Sequence, residues 1–169
     1  MISVVIPAHN EEESIAPCLE SLTLAARCKG LKGEKVLIVV ALDSCTDQTE
    51  HIARRMGAST VTVSARNVGA ARARGARFAL NAGSRWLAFT DADSTVASDW
   101  FSKQLGLDSD AVCGTVAVKD WGSYSPRMRR RYDAHYTDAD GHRHIHGANL
   151  GVSAHAYVRV GGFKSLKTS

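Results

Sequence analysis

Trp86-Leu87-Ala88-Phe89-Thr90-Asp91-Ala92-Asp93 is the stretch on which the reading of this chain turns. Four apolar residues in a row form a short strand covered on both faces, and the acids that follow at once mark its carboxyl end. The same grammar recurs upstream. Ile2 to Ile6 is a continuous apolar strand that ends at Pro7-Ala8-His9-Asn10. Lys35 to Ala41 is a Val-rich strand that opens into the polar loop Leu42-Asp43-Ser44-Cys45-Thr46-Asp47, and Ser59 to Val63 is a short third strand.

Helical spacing fills the gaps between these strands. Ile15, Leu19, Leu22 and Ala26 lie on one stripe. Pro17 is tolerated only in a first turn, so that helix starts near Ser14, with Asn10 or Ser14 as its cap. Gly30 to Gly33 is a turn, and Thr46 or Asp47 caps a second helix reaching about Met56. Val68 to Asn81 is a third, with Val68, Ala71, Gly75, Phe78 and Ala82 expected on its buried stripe. Four β-then-α units in succession predict an α/β fold: a Rossmann-like, mostly parallel sheet flanked by helices, with right-handed crossovers. Ligands of such sheets gather at the carboxyl ends of strands, where His9-Asn10-Glu11, Asp43 to Asp47 and Asp91 to Asp93 all fall.

After Asp93 the pattern changes. A short helix begins at Ser98-Asp99-Trp100-Phe101, and Ala111 to Val118 reads as a strand. A polar, aromatic and basic stretch runs from Trp121 to His146, strand character resumes over Gly147 to Val152, and Ser153 to Val160 reads as a short helix. No internal repeat or low-complexity linker divides the chain, so residues 1–169 are expected to be a single domain.

Composition sets the outer bounds. The 169 residues are 44% hydrophobic and 22% charged, as an ordinary globular domain with a core requires. No apolar run approaches the roughly 20 residues that span a bilayer. Met1 to Pro7 is too short and uncharged for a signal peptide, and a cytoplasmic location is expected. Cys18, Cys28, Cys45 and Cys113 have neither the spacing of a zinc site nor that of a disulfide framework. The net charge of +4 is concentrated at Arg127-Met128-Arg129-Arg130-Arg131, a run that suits nucleic acid, acidic lipid, a phosphorylated substrate or a solvated helix face. No aromatic-basic platform accompanies the run, so nucleic acid is not an expected partner. Nothing else in the sequence argues for a membrane surface.

Asp91 and Asp93 stand two apart, so a persisting pleat would point both carboxylates to one side. Paired hard oxygen ligands suit Mg²⁺ or Mn²⁺, with positions left for water and diphosphate oxygens. Taken alone, the three residues are equally a turn or a helix cap; their place at a strand end favours metal. Arg66 to Gly75 combines a helix N-terminus with several guanidiniums, both suited to phosphate. Arg74, Arg77 and Asn81 share a solvated flank, while Arg72 lies on the other flank and is the better candidate for a ligand. Asp43 is either an acceptor for a nucleobase N–H or a loop cap, and His9 either packs beside a base or is a surface residue. His142, His144 and His146 alternate, so in an extended segment all three face one way. A polar flap over an acceptor is the preferred account of them, with metal coordination by His144 and His146 as the alternative.

Taken together these residues resemble family 2 glycosyltransferases of the GT-A fold. The pieces that carry the resemblance occur in the family's order. They are Val4 to Glu12, Asp43 to Thr49, Asn67-Val68-Gly69-Ala70-Ala71-Arg72, Asp91-Ala92-Asp93, Gly147-Ala148-Asn149 and Gly161-Gly162-Phe163. The resemblance implies a nucleotide-sugar-binding half over residues 1–93 and an acceptor-binding half over 94–169. It further implies that Pro7, His9, Glu11, Asp43, Arg72 and Asp91 contact a UDP- or GDP-sugar, with Asp93 as principal metal ligand. The acceptor is unspecified, and so is the oligomeric state.

Two features depart from the family pattern. The aromatic residue often found before the Asn is here His9, and one acid of an Asp-Asp-Gly-Ser form is replaced in Leu42-Asp43-Ser44-Cys45. In addition, the acidic catalytic base that usually follows Gly-Gly-Phe has no counterpart in Lys164 to Ser169. An inverting transfer needs such a carboxylate to take the acceptor's proton. The expectation is therefore a truncated form with its catalytic base unassigned, in which donor binding is better supported than turnover. Three readings remain open: a metal-assisted glycosyltransferase, a nucleotide-sugar-binding module or inactive remnant, and a nucleotidyltransferase. The last lacks its usual Gly-rich basic loop at Pro7-Ala8-His9-Asn10-Glu11.

Overall fold

The structure is a computed structural model that describes residues 1–118 and 121–166. The strands are β1 (Ile2–Ala8), β2 (Val36–Asp43), β3 (Ser59–Val63), β4 (Trp86–Phe89), β5 (Ala111–Cys113) and β6 (Leu150–Ser153). The helices are α1 (Ile15–Ala25), α2 (Thr49–Arg55), α3 (Val68–Asn81), α4 (Trp100–Gly106), α5 (Pro126–His135) and α6 (Ala154–Arg159). The strands form one six-stranded sheet in the order β3-β2-β1-β4-β6-β5. β3, β2, β1 and β4 are parallel, as the βα alternation requires, whereas β6 runs antiparallel to both β4 and β5.

β1 is central, and its sequence says why. Ile2, Val4 and Ile6 are fully buried on one face against Ile15, Leu19 and Leu22 of α1 and Phe101 of α4. Val5, on the alternate face, packs with Ala76 and Ala79 of α3 and with Leu87 and Phe89 of β4. A strand so nearly all apolar is stable only where helices cover both sides, and its one polar side chain, Ser3, is buried against the Ser84 hydroxyl. Because β2 and β3 lie on one side of β1 and β4 on the other, the direction of winding reverses between β1 and β4. That reversal opens a crevice at the carboxyl ends of these strands.

Two local expectations change. The stripe that α3 buries is Ala71, Gly75, Ala76 and Ala79, while Val68 and Phe78 are exposed. The small residues win because they bring the helix axis close to the sheet; a Cβ on Gly75 would lie 2.4 Å from Val5 Cγ1. The strand expected over Ala111 to Val118 stops at Cys113. Its partner β6 pairs only with Ala111 to Cys113, and beyond that point Gly114 N–H and Thr115 C=O bond to Asn149. Among the described residues no helix is long and apolar enough to cross a membrane.

Gly75→Val is expected to overpack the α3–β1 contact and cost about 2 kcal/mol or more in urea denaturation. Combining it with Val5→Ala should recover part of that loss as a favourable coupling between the two sites.

Candidate active site

Three strand-end loops meet above the crevice, and side chains lock them together. Thr46 N–H donates to Asn10 Oδ1 at 2.8 Å, Glu12 N–H to Asp47 Oδ2 at 3.0 Å, and Gln48 N–H to Glu12 Oε2 at 2.9 Å. Glu11 N–H donates to Thr49 Oγ1 at 2.8 Å. Asp47 Oδ1 also accepts from Thr49 N–H, so the residue expected as a helix cap does cap α2, although Gln48 holds the N-cap position. Asn10, Ser44 and Arg66 each adopt a positive φ, of 55°, 57° and 45°. Such conformations persist in non-glycine residues when their surroundings over-determine them, and here one occurs in each of the three loops.

Asp43 is the deepest of these loop acids, 4% exposed at the end of β2. Its Oδ1 accepts from the N–H groups of Ala65 and Arg66 at 2.9 and 2.8 Å, and its Oδ2 from Asn67 N–H at 2.6 Å. Ser44 Oγ donates to Oδ1 as well. Burial pushes this carboxyl up, but the Asn67, Ala65 and Arg66 amides and the Ser44 hydroxyl outweigh burial and hold it below the usual carboxylate range. Three of these donors crowd Oδ1, whereas Oδ2 takes a single one, which leaves an acceptor position on that oxygen. The Asp43 carbonyl accepts from His9 Nδ1 at 2.6 Å, which fixes the orientation of that ring at the cleft wall.

The loop gripped by Asp43 launches α3. Asn67 is its N-cap, accepting from Ala70 N–H at 2.9 Å through Oδ1, while Nδ2 donates to the Leu166 carbonyl. One turn on, Arg72 Nη2 donates to Asp91 Oδ1 at 2.6 Å, with the arginine side chain 12% exposed. Phe163 lies under this guanidinium, 5.7 Å from Cζ to the ring centroid, and Arg72 Nε is buried with no hydrogen-bond partner among the described residues. A Cβ on Gly147 would come within 2.4–2.5 Å of three guanidinium atoms, so glycine is required where the chain passes Arg72. The Arg74 and Arg77 side chains are exposed, as their flank predicted.

β4 has already ended when the two acids arrive. Ser94 N–H bonds back to the Asp91 carbonyl at 3.2 Å, so a turn, rather than a continuing pleat, brings Asp91 and Asp93 to the same cleft. Cys18 lies against this turn, its thiol donating to the Asp91 carbonyl and pushed up to about 12 by burial and by the charges of Asp93 and Asp91. The two carboxylates differ in their partners. Asp91 is paired with Arg72, whereas Asp93 is exposed and, among the described residues, its hydrogen-bond partner is Ser94 Oγ, at 3.4 Å.

Pro7, His9, Glu11, Asp43, Arg72, Asp91 and Asp93 all line one cleft of about 550 Å³, together with Ala8, Arg66, Asn67, Val68, Ala71 and Ala92. Asp93 also borders a second cleft of about 570 Å³, walled by Thr90, Trp100, Thr115 to Val118 and Asn149. His144 and His146 line neither. His142, His144 and His146 stack at 5.5 Å spacings, and Tyr136 stacks on His144 at 4.5 Å. His144 Nε2 accepts from Thr137 N–H, His142 Nδ1 accepts from His144 N–H, and His146 Nε2 bonds to the Tyr136 hydroxyl. His144 Nε2 and His142 Nδ1 thus face backbone donors, and among the described residues no three His, Cys, Asp or Glu side chains converge on a metal position. The three histidines form a packed stack against Tyr136.

A two-carboxylate set still fits a divalent ion of the Mg²⁺ type, which is held by one or two protein carboxylates plus substrate phosphates. Asp93 supplies a free hard oxygen donor for it. Asn67, Gly147 and Phe163 fall within the motifs that carry the family resemblance, but local sequence gives no sign that they act as supports of Arg72. The part of the expectation concerning Lys167 to Ser169 lies outside the described residues.

The sequence pattern of Glycosyl transferase family 2 matches residues 3–164. Low-salt glycan biosynthesis hexosyltransferase Agl6 of Haloferax volcanii is 32% identical over 124 residues, covering 68% of this chain and 27% of that protein. The mannosyltransferase PcManGT from Pyrobaculum calidifontis, solved with GDP-Man and Mn²⁺, has a TM-score of 0.69 at 20% identity, over 97% of this chain and 47% of the other. Glucosyl-3-phosphoglycerate synthase from Mycobacterium tuberculosis, solved with Mn²⁺, UDP and glucosyl-3-phosphoglycerate, gives 0.58 at 19% identity over 92% and 57%. At these identities the solved structures establish a shared GT-A-type fold. The chain spans about a quarter of the curated relative and about half of each solved one.

Because the folded-state carboxyl of Asp43 titrates below the unfolded one, its stabilising effect is complete above about pH 4 and is lost as pH falls through the folded value. Asp43→Asn is expected to destabilise the protein by about 2–3 kcal/mol at neutral pH. In acid denaturation it should also flatten the dependence of stability on pH below about 4.

Proposed function

The chain belongs to Glycosyl transferase family 2, and from that premise we propose that it takes a sugar from a nucleoside-diphosphate donor, UDP- or GDP-linked, and transfers it to a hydroxyl-bearing acceptor. The observation that carries the proposal is the unequal pair at the end of β4. Asp91 is tied to Arg72, and Asp93 stands in the same cleft without an ion-pair partner among the described residues. The donor complexes of PcManGT with GDP-Man and of the synthase with UDP, each with Mn²⁺, support the choice of ligand class and of Mg²⁺ or Mn²⁺.

Each residue then has a physical role. The His9 ring, held by the Asp43 carbonyl, flanks the nucleobase, and the spare Oδ2 position of Asp43 accepts a base N–H. Pro7 and Glu11 complete that wall of the donor cleft. Arg72 sets a permanent positive charge beside the diphosphate, in a partly buried position where a guanidinium is most effective. Asp93 would hold the divalent ion, whose chemistry is to neutralise charge on the departing diphosphate. The cleft walled by Thr90, Trp100, Thr115 and Asn149 adjoins the donor cleft at Asp93 and is assigned to the acceptor.

Calorimetry with UDP and GDP, with and without Mn²⁺, tests the donor half of the proposal. Binding is expected to need Mn²⁺ and to weaken at least roughly tenfold in Asp93→Asn, whose exposed side chain should leave the melting temperature unchanged. Equal binding without metal, or none at all, would sink the proposal. Gly147→Ala drives a methyl group into the Arg72 guanidinium; nucleotide affinity should fall roughly tenfold as the pair with Asp91 is displaced.

A further inference from the structure

α5 is unlike the other helices: none of its ten residues is buried and four of them are arginines. It is nonetheless a well-specified helix. Ser125 caps it by accepting from Met128 N–H, and Pro126 occupies its first turn. One side is fastened to the body of the protein through Tyr132. That ring meets Trp121 edge-on at 5.3 Å and stacks on Tyr136 at 4.8 Å, and its hydroxyl donates to the Val116 carbonyl at 3.1 Å.

The other side carries charge. Arg127, Arg130 and Arg131 stand at i, i+3 and i+4, so they share one face with Ala134, away from Tyr132. Arg129 reaches Asp133 at 3.9 Å, but among the described residues Arg127, Arg130 and Arg131 have no carboxylate within ion-pairing distance. Large apolar side chains of the same stretch of chain are exposed on either side of the helix in sequence: Tyr124 is 68% and Ile145 77% exposed. Neither large cleft is lined by a residue of α5.

An exposed helix face with three guanidiniums that have no carboxylate partner among the described residues, in a stretch of chain with exposed apolar groups, has no cradle for a single phosphate. A nucleic-acid strand would want open aromatic faces, yet Trp121, Tyr132, Tyr136 and His144 are stacked on one another. The combination suits a broad anionic surface with an apolar layer just beneath it. We propose that α5 docks the protein on an anionic lipid bilayer. The arginines meet headgroup phosphates, and Tyr124 and Ile145 enter the boundary between headgroups and acyl chains. Val116, which anchors Tyr132, also walls the cleft assigned to the acceptor, so docking would bring that cleft close to the bilayer. The docking itself does not depend on donor chemistry.

Cosedimentation of the full chain, without nucleotide, with phosphatidylcholine vesicles and with phosphatidylcholine–phosphatidylglycerol vesicles tests it. Binding is expected to the anionic vesicles alone and to fall steeply between about 0.1 and 1 M salt, as screening shortens from roughly 10 to 3 Å. The triple variant Arg127→Gln/Arg130→Gln/Arg131→Gln should bind on the order of a hundredfold more weakly, and Arg127→Gln alone about fivefold. Ile145→Ser should weaken binding at unchanged charge. If the triple variant fails to fold, the single variants and the salt titration decide. No binding to anionic vesicles, equal binding to neutral ones, affinity unchanged by the substitutions, or tighter binding to a single-stranded RNA homopolymer would each overturn the proposal.

Discussion

The buried carboxylate of Asp43 is the tie from which the site is built. It ends β2, accepts the consecutive amides of Ala65, Arg66 and Asn67, and so fixes where α3 begins. Once that start is set, helical geometry decides which side chain comes round one turn later, and it is Arg72 that reaches Asp91. The same residue's carbonyl orients His9 on the β1 loop. One acid therefore joins three strand ends, and its desolvation is offset because its bonds are charge-assisted and local.

The pairing of Arg72 with Asp91 divides the labour between two acids that look equivalent in the chain. Two bare carboxylates side by side would repel each other and raise one another's proton affinity. With Asp91 paired to the guanidinium, Asp93 is left exposed, with Ser94 Oγ as its hydrogen-bond partner among the described residues. Phe163 beneath the guanidinium and Gly147 beside it restrict where Arg72 can go, and Asn67 links the start of α3 to the Leu166 carbonyl. Residues far apart in sequence thus position the two acids of one short turn.

Beyond β4 the sheet changes character. β6 adds antiparallel to β4, and Asn149, just before it, accepts from Trp100 Nε1 while donating to the Thr115 carbonyl. The stretch from Thr115 to Val118 therefore leaves the sheet as an irregular wall, and the Tyr132–Tyr136–His144 stack is fastened to it at Val116. α5 is carried on that wall by its tyrosine side with its arginines turned outward. This arrangement gives the half after Asp93 two surfaces, a cleft beside Asp93 and a basic face outside it.

Much of this was legible in the chain. The apolar blocks of β1, β2 and β4 and the helical spacing between them determined a mostly parallel α/β sheet, because uninterrupted hydrophobic strands are stable only between helical layers. The polar residues at those strand ends marked the cleft, since backbone direction alone brings parallel strand ends together. What local sequence left undecided was what each side chain would bond to. Asp91 and Asp93 are chemically identical, and only the position of Arg72 in space separates the acid paired with it from the other. His142, His144 and His146 have the spacing of ligands, yet one nitrogen of each ring is hydrogen-bonded within the protein, to Tyr136, to Thr137 N–H or to the chain itself. Spacing along the chain is a one-dimensional property and sets which residues can meet. Pairing of charges and satisfaction of lone pairs depend on distances across the fold, so only the tertiary structure decided them.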